Sequence, residues 1–140
     1  MINLEQLKKQ HASIEEELDI ILSLTFKEEY IDLLSDITLH INKLAGLLNI
    51  HLLSEDDFMY PALRDSKDTE IKNMASSYSD EMGGLVTEFT AYKNRFNTKS
   101  KVLAAEAEFR PMTKTVLGKI KSRMDKENKN LYRLIAEKNL

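Results

Sequence analysis

The chain has 140 residues, 20 basic and 23 acidic, with a net charge of −3 at neutral pH, which suits a single domain over residues 1–140. The two signs of charge alternate without forming a block, which argues against a nucleic-acid partner, and the absence of cysteine excludes disulfides, thiolate ligands and a cysteine nucleophile. Neither a signal-peptide pattern nor an apolar run of roughly 20 residues is present, so we expect a cytoplasmic protein without a membrane partner.

Apolar residues recur at alternating spacings of three and four along nearly the whole chain, which is typical of amphipathic α-helices. The first predicted helix starts behind a capping pair, Asn3 and Gln6. Its apolar stripe consists of Leu4, Leu7, His11, Ile14, Leu18 and Ile21. His11 is the one polar member of this stripe.

The second helix is predicted to start at Thr25 with Glu28, a hydroxyl residue followed three positions later by an acid. Two polar side chains, His51 and Glu55, interrupt its apolar face. The stripe is Leu33, Ile37, Leu44, Leu48, His51, Glu55 and Phe58. Pro61 is expected to end or kink this helix, because proline lacks a backbone donor and its ring clashes with the preceding turn.

Two more helices follow a polar turn at 65–68. Their stripes are Ile71, Ala75, Tyr78, Met82, Leu85, Phe89, Tyr92 and Phe96, then Phe109, Val116, Ile120, Arg123, Glu127, Leu131 and Leu134. Pro111 is expected near the start of the last helix, and residues 97–110 form either a loop or an early helical segment bent at that proline. Four such helices with short connections predict an all-α, up-down-up-down antiparallel four-helix bundle.

The chain contains an internal repeat. Its two copies are Gly46, His51, Glu55 and Tyr60 and, 72 residues later, Gly118, Arg123, Glu127 and Tyr132. In the helices that precede the two copies, His11 aligns with Met82 at an offset of 71. We therefore predict two helix-pair repeats, of which the first carries several potential metal ligands and the second retains only Glu127.

The placement of these polar groups suggests a buried centre. His51 and Glu55 are four residues apart, so they project from one helix face and lie close to the midline of the stripe. Glu127 lies equally near the midline of its own stripe, whereas His11 and Arg123 sit about 60° off theirs. A buried carboxylate has to be neutralised by a metal ion, by Arg123, by a protonated histidine or by its own protonation.

Formal charge helps to choose among these alternatives. Two glutamates, one arginine and two neutral histidines sum to −1, one divalent ion brings the sum to +1, and a second would raise it to +3. A two-metal centre is therefore disfavoured. Two interpretations remain open: a metal site, or a polar cluster in which the always charged Arg123 bridges the carboxylates.

His11 and the segment HLLSEDDFMYPAL, which starts at His51, resemble the hemerythrin-like family, also called the HHE cation-binding domain. The resemblance covers essentially the full chain. It implies four helices around a non-haem di-iron centre, to which each helix pair supplies a histidine followed by a His-x-x-x-Glu motif. Members of this family bind or sense dioxygen, nitric oxide, peroxide or iron, and some assist iron–sulfur repair.

Position by position, the resemblance implies that His11, His51 and Glu55 are ligands of the first half-site. It also implies that Glu127 is a bridging carboxylate. The histidines of the second half-site are replaced by Met82 and Arg123. A thioether is a poor ligand for hard iron and a guanidinium is no ligand, so the second half-site is degenerate.

Two functions are carried forward from this resemblance. The first is a non-enzymatic domain that holds at most one non-haem iron or other divalent metal. It would act in oxygen, nitric oxide, redox or iron binding or sensing, with a small diatomic ligand as its partner. The alternative is a metal-free bundle in which Arg123 replaces the metal and the surface serves as an interaction or regulatory module. The sequence indicates no particular protein partner.

A few further residues have weaker expectations. His40 shares a face with His51 but lies about 16 Å along the helix, so it is expected outside any site. Tyr60 and Tyr132 either cap the site by donating to a carboxylate or simply pack. The adjacent glycines at 83 and 84 are unfavourable within a helix, which suggests close helix packing, a kink, or a gap that admits a small ligand.

Overall fold

The computed structural model describes residues 2–140, and all regular secondary structure in that range is helical. The first half comprises α1 (Leu4–Thr25), a 3₁₀ turn (Tyr30–Leu33), α2 (Leu34–Ser54), a π-helical turn (Glu55–Met59) and α3 (Tyr60–Arg64). The second half comprises α4 (Thr69–Phe96), α5 (Lys99–Ala104), α6 (Glu106–Lys126), a second π-helical turn (Glu127–Leu131) and α7 (Tyr132–Glu137). The predicted all-α class is confirmed.

The ends of the helices agree only in part with the sequence signals. Asn3 caps α1 as predicted, because its side-chain oxygen accepts a hydrogen bond from the Gln6 amide at 3.1 Å. The predicted start at Thr25 is wrong. Thr25 is the last residue of α1 and is fully buried, so it continues the packed face of that helix, and α2 begins only after the 3₁₀ turn.

Pro111 does not have the expected place, and of the two alternatives for Pro61, an end or a kink, the structure excludes the end. Pro61 does not end its helix, because helical structure runs without interruption from residue 34 to residue 64. The π-helical turn just before Pro61 brings the Tyr60 amide to the Glu55 carbonyl, and this wider turn accommodates the missing proline donor. Pro111 lies inside α6 rather than near its start, and the stretch before it is largely helical rather than a loop.

Both π-helical turns shift the buried face by one residue. Phe58, expected in the core, is 75% exposed, whereas Met59 and Tyr60 are buried. In the last helix, Leu134 is partly exposed and Ile135 is buried instead. A π-helical turn inserts one extra residue into the helix, so a stripe extrapolated at 3.6 residues per turn fails beyond it.

The apolar core is divided into two clusters. The larger cluster includes Ile14 and Leu48, and the smaller one, around α3, α7 and the start of α4, includes Leu7 and Met59. His11 therefore lies between the two clusters on α1, as Glu55 does after α2. Glu127 occupies the same level on the last helix. The fold thus encloses one polar layer between two apolar ones.

Candidate metal centre

The structure brings together all four residues that the sequence proposed as metal ligands. His11 comes from α1 and His51 from the last turn of α2, while Glu55 and Glu127 are the first residues of the two π-helical turns. All four are buried, and one ligand atom from each lies within 4.8 Å of all the others. The four side chains are therefore positioned to hold a metal ion.

The nitrogen and oxygen atoms converge on one small volume. The two histidine Nε2 atoms are 2.9 Å apart, and His51 Nε2 is 2.5 Å from Glu55 Oε1. His11 Nε2 lies 3.8 Å from Glu127 Oε1 and 3.9 Å from Glu55 Oε1. The tip of each side chain is thus directed at the same point, as the ligands of a single ion would be.

Contacts on the far side of each ring orient the histidines. His51 Nδ1 donates to the side-chain oxygen of Gln10 at 2.7 Å, and His11 Nδ1 donates to that of Asn128 at 2.8 Å. The Gln10 amide nitrogen in turn donates to the Ser54 hydroxyl at 3.3 Å, which fixes the direction of the amide. With its Nδ1 proton directed outward, each ring turns its Nε2 toward the centre, and this is the atom that would bind a metal once it is unprotonated.

This arrangement calls for a cation. Neither carboxylate oxygen of Glu127 has a hydrogen-bond partner among residues 2–140, and the same holds for Glu55 Oε2. Buried oxygens without partners are unfavourable, and a cation at the centre would satisfy them. Two imidazoles and two carboxylates are a donor set suited to ferrous iron, manganese or zinc. The residues present therefore fit one metal ion.

The pKa shifts of the cluster show how its charges are balanced when no metal is bound. Burial, together with the charge of His51, lowers the pKa of His11 to about 4. Burial raises the pKa of Glu55, but the hydrogen bond and charge of His51 outweigh it, so the pKa lies below its ordinary value. Burial and the nearby Glu55 charge raise the pKa of Glu127 well above its ordinary value. A bound metal would therefore compete with the proton on Glu127.

The repeat-related tyrosines have different roles. Tyr132 donates to Glu55 Oε1 at 2.9 Å, and its ring stacks on His11 with centroids 4.9 Å apart. The capping role is therefore confirmed for Tyr132. The hydroxyl of Tyr60 is buried without a hydrogen-bond partner in the described part of the chain, so this ring packs. Burial raises the pKa of both tyrosines far above the ordinary value, which keeps them as neutral phenols.

Arg123 does not bridge the carboxylates, and that part of the prediction is wrong. Its guanidinium is buried but lies 2.7 Å from Glu81 Oε2, donates to the Tyr78 carbonyl at 2.7 Å and covers the Tyr78 ring at 4.3 Å. No ion pair within 4.0 Å joins it to Glu55 or Glu127 in residues 2–140. Arg123 lies at the flank of its apolar stripe and reaches the half-exposed carboxylate of Glu81 on α4. Because this carboxylate remains hydrated, the ion pair has a smaller desolvation penalty than a pair with a fully buried glutamate.

The remaining expectations divide in the same way. His40 lies outside the centre as predicted, with its Nδ1 2.5 Å from Glu17 Oε2. The suggestion of close helix packing at Gly83 and Gly84 is wrong, because both face solvent and an added Cβ would meet nothing within 4 Å. Met82 is buried and lines a surface groove.

Sequence reasoning missed the residues that orient the histidines. Gln10 immediately precedes His11, and Asn128 immediately follows Glu127. That adjacency is the only signal, since neighbours on a helix point about 100° apart and the same pattern occurs beside most buried residues. The two π-helical turns were also missed, although turns of this kind often mark functional sites.

Comparison with known proteins agrees with the geometry. The family model described as hemerythrin HHE cation binding domain matches residues 3–135, which include all four converging side chains. Comparisons with curated proteins and with solved structures give no match. Since the family model covers nearly the whole chain, the protein belongs to the hemerythrin HHE cation-binding domain family.

Proposed function

We propose that this protein binds one divalent metal ion, with ferrous iron preferred, through His11, His51, Glu55 and Glu127. The observation that carries the proposal is the convergence of four buried ligand atoms within 4.8 Å, two of them on carboxylates with unpaired oxygens. A cation at this point would satisfy those oxygens and take both Nε2 atoms as ligands.

The number of ions is limited by the second half-site. Met82 and Arg123 stand where that half-site would need histidines, and Arg123 is engaged with Glu81 and the Tyr78 carbonyl. Because Glu81 neutralises Arg123, the two glutamates and two neutral histidines sum to −2, so one divalent ion balances their charge and a second would leave +2. A dinuclear centre is therefore not part of the proposal.

The physiological role that this centre supports is binding or sensing of oxygen, nitric oxide, redox state or iron. A bound ferrous ion would supply an open coordination position and a redox couple to a small diatomic ligand. We place the centre in an antiparallel four-helix bundle of two repeats, formed when α2 and α3 count as one helix and α6 and α7 as another. We regard the protein as non-enzymatic and cytoplasmic. Residues 2–140 contain no helix with the length and hydropathy of a membrane span.

Metal analysis tests the proposal. Protein stripped with a chelator and refilled anaerobically with ferrous iron should hold one equivalent by elemental analysis after desalting. His51→Ala should hold almost none, because it removes a ligand and leaves Glu55 without its partner. His40→Ala is the matched control, a histidine of the same helix outside the centre, and should retain one equivalent. Wild-type protein that is folded and holds no iron, manganese or zinc would contradict the proposal.

The metal-free alternative depended on Arg123 bridging Glu55 and Glu127, and Arg123 contacts neither carboxylate. No observation therefore favours an interaction module over a metal-binding domain. The same metal analysis separates the two, since the alternative requires no metal in the wild type. Nitric oxide added to the ferrous protein should also change its absorption spectrum, whereas the metal-free form should not respond.

A further inference from the structure

A groove of about 460 Å³ lies between α2 and α4, outside the metal centre. Its wall is mainly apolar, and its buried lining residues are Leu48, Met82, Phe89 and Ile120. This volume lies within the range of small-molecule sites in proteins. The groove is therefore large enough for a small-molecule ligand, and the residues at its two ends indicate which kind of ligand it fits.

The two ends of the groove differ in polarity. Asn42 donates to the carbonyl of Asn97, just beyond the end of α4, so α2 and α4 run past each other in opposite directions. Asn42 and Lys93 therefore share one end, and Leu52 and Met82 share the other. Lys93 follows Met82 by eleven residues, which corresponds to about 16 Å along a helix. The groove is thus elongated, with Asn42 and Lys93 at one end, Leu52 and Met82 at the other, and the polar side chains of Asn49 and Thr90 between them.

Lys93 supplies a positive charge that nothing in the described chain neutralises. Five lysines with cross-helix or long-range partners are Lys43, Lys119, Lys121, Lys126 and Lys138, and each has a carboxylate within 4.0 Å. Lys93 lines the groove, is partly buried, and has no such carboxylate among residues 2–140. A single ammonium at the end of an apolar channel complements one negative charge on an otherwise apolar molecule.

We propose that this groove binds an amphiphilic monocarboxylate, namely a fatty acid of medium chain length. Its carboxylate would pair with Lys93 beside Asn42, and its chain would extend along α2 and α4 toward Met82. One lysine balances one carboxylate, whereas a phosphate would leave excess negative charge against an apolar wall. The proposal is independent of the metal centre, since no ligand residue lines the groove.

Gly46 keeps the groove open. It lies in the interior of α2 and lines the groove, and a Cβ added there would meet nothing within 4 Å. A glycine within a helix is destabilising by about 1 kcal/mol relative to alanine. A larger side chain at this position would enter the open space without disturbing the core, which makes Gly46 the natural position at which to block the site.

Dodecanoate below its micelle concentration is the probe, titrated into the folded protein by calorimetry. We expect one molecule per chain. Lys93→Gln should weaken binding about tenfold, the loss of one charge-assisted hydrogen bond. Lys72→Gln, an exposed lysine of the same helix outside the groove, should leave the affinity unchanged. Dodecanol should bind about as weakly to the wild type as dodecanoate binds to Lys93→Gln.

A second pair of variants separates this groove from the rest of the surface. Gly46→Leu should abolish binding, while Gly118→Leu, at the repeat-related position on α6, should bind normally, and circular dichroism confirms that both are folded. Absence of binding to the wild type would overturn the proposal. So would equal affinity for dodecanol and dodecanoate, or a dimer in light scattering that covers the groove and dissociates in Gly46→Leu.

Discussion

The segments 46–60 and 118–132 have the same backbone and different chemistry. In each segment a glutamate opens a π-helical turn and a buried tyrosine follows it, with Glu55 and Tyr60 in the first and Glu127 and Tyr132 in the second. Only the first has a histidine four residues before the glutamate. The backbone that directs a carboxylate inward thus exists in both copies, independently of whether the metal ligands are present.

The two glutamates also differ in how they are satisfied. Glu55 pairs with His51 and accepts from Tyr132, whereas neither oxygen of Glu127 has a hydrogen-bond partner among residues 2–140. Their pKa values accordingly move in opposite directions from the ordinary value. In the degenerate copy, Glu127 therefore lacks a partner that a cation could provide. The intact copy supplies most of the ligands for that cation.

The largest effect is expected when the two missing histidines are restored in the second copy of the repeat. The double variant Met82→His with Arg123→His should raise the metal content from one to two equivalents, because Arg123 lies four residues before the inward-directed Glu127 and Met82 aligns with His11 in the repeat. Elemental analysis after anaerobic loading with ferrous iron measures the change. Met82→Leu with Arg123→Gln is the control and should remain at one equivalent. A double histidine variant that also remains at one would show that the two copies are not equivalent in space.

Removal of Arg123 alone tests what the replacement now does. Arg123→Ala should lower the free energy of unfolding by about 2–3 kcal/mol, since the Glu81 ion pair, the bond to the Tyr78 carbonyl and the contact with its ring are lost together. Urea denaturation of metal-free protein measures it. Arg123→Met keeps the apolar stem and should lose only about half as much. An unchanged unfolding midpoint for Arg123→Ala would refute a structural role.

Replacing each glutamate by glutamine should change the stability of the protein in opposite directions. Because the pKa of Glu127 is raised above 4.5, the metal-free protein loses stability as pH rises above that value, and Glu127→Gln removes this loss. We expect a gain in stability at pH 7 and almost none at pH 4, where the carboxyl is protonated in both the folded and the unfolded state. Glu55→Gln should instead destabilise at pH 7, since its lowered pKa reflects a favourable pair with His51. Chemical denaturation of both variants at pH 4 and pH 7 measures these changes. If both variants changed the free energy of unfolding in the same direction at pH 7, the assignment would be wrong.

The smallest effect concerns a feature that the copies share. Gly46 and Gly118 both lie inside helices without a positive φ, and an added Cβ meets nothing within 4 Å at either position. Gly46→Ala and Gly118→Ala should therefore each raise the free energy of unfolding by about 0.5–1 kcal/mol. Thermal melts of the two variants give the comparison. A destabilising change in one copy alone would mean that its helix needs the glycine.

The sequence determined by itself that the chain is helical and which side chains meet in its centre. Helix formation depends on neighbours three and four residues apart, so the apolar spacing and the cap at Asn3 were sufficient. The repeat then aligned Glu127 with Glu55, and polar residues on apolar stripes have few places to go except a common centre. His11, His51, Glu55 and Glu127 were predicted on this basis, and the structure brings them together.

Tertiary structure alone decided where the regular periodicity fails and which partners the polar groups choose. The π-helical turns moved Phe58 out of the core, a change that depends on packing between helices and leaves no local signature in the sequence. Arg123 can reach several carboxylates, and the relative positions of α4 and α6 selected Glu81. Gln10 and Asn128 orient the histidines for the same reason: hydrogen bonds between distant segments depend on distances that exist only after the helices have packed.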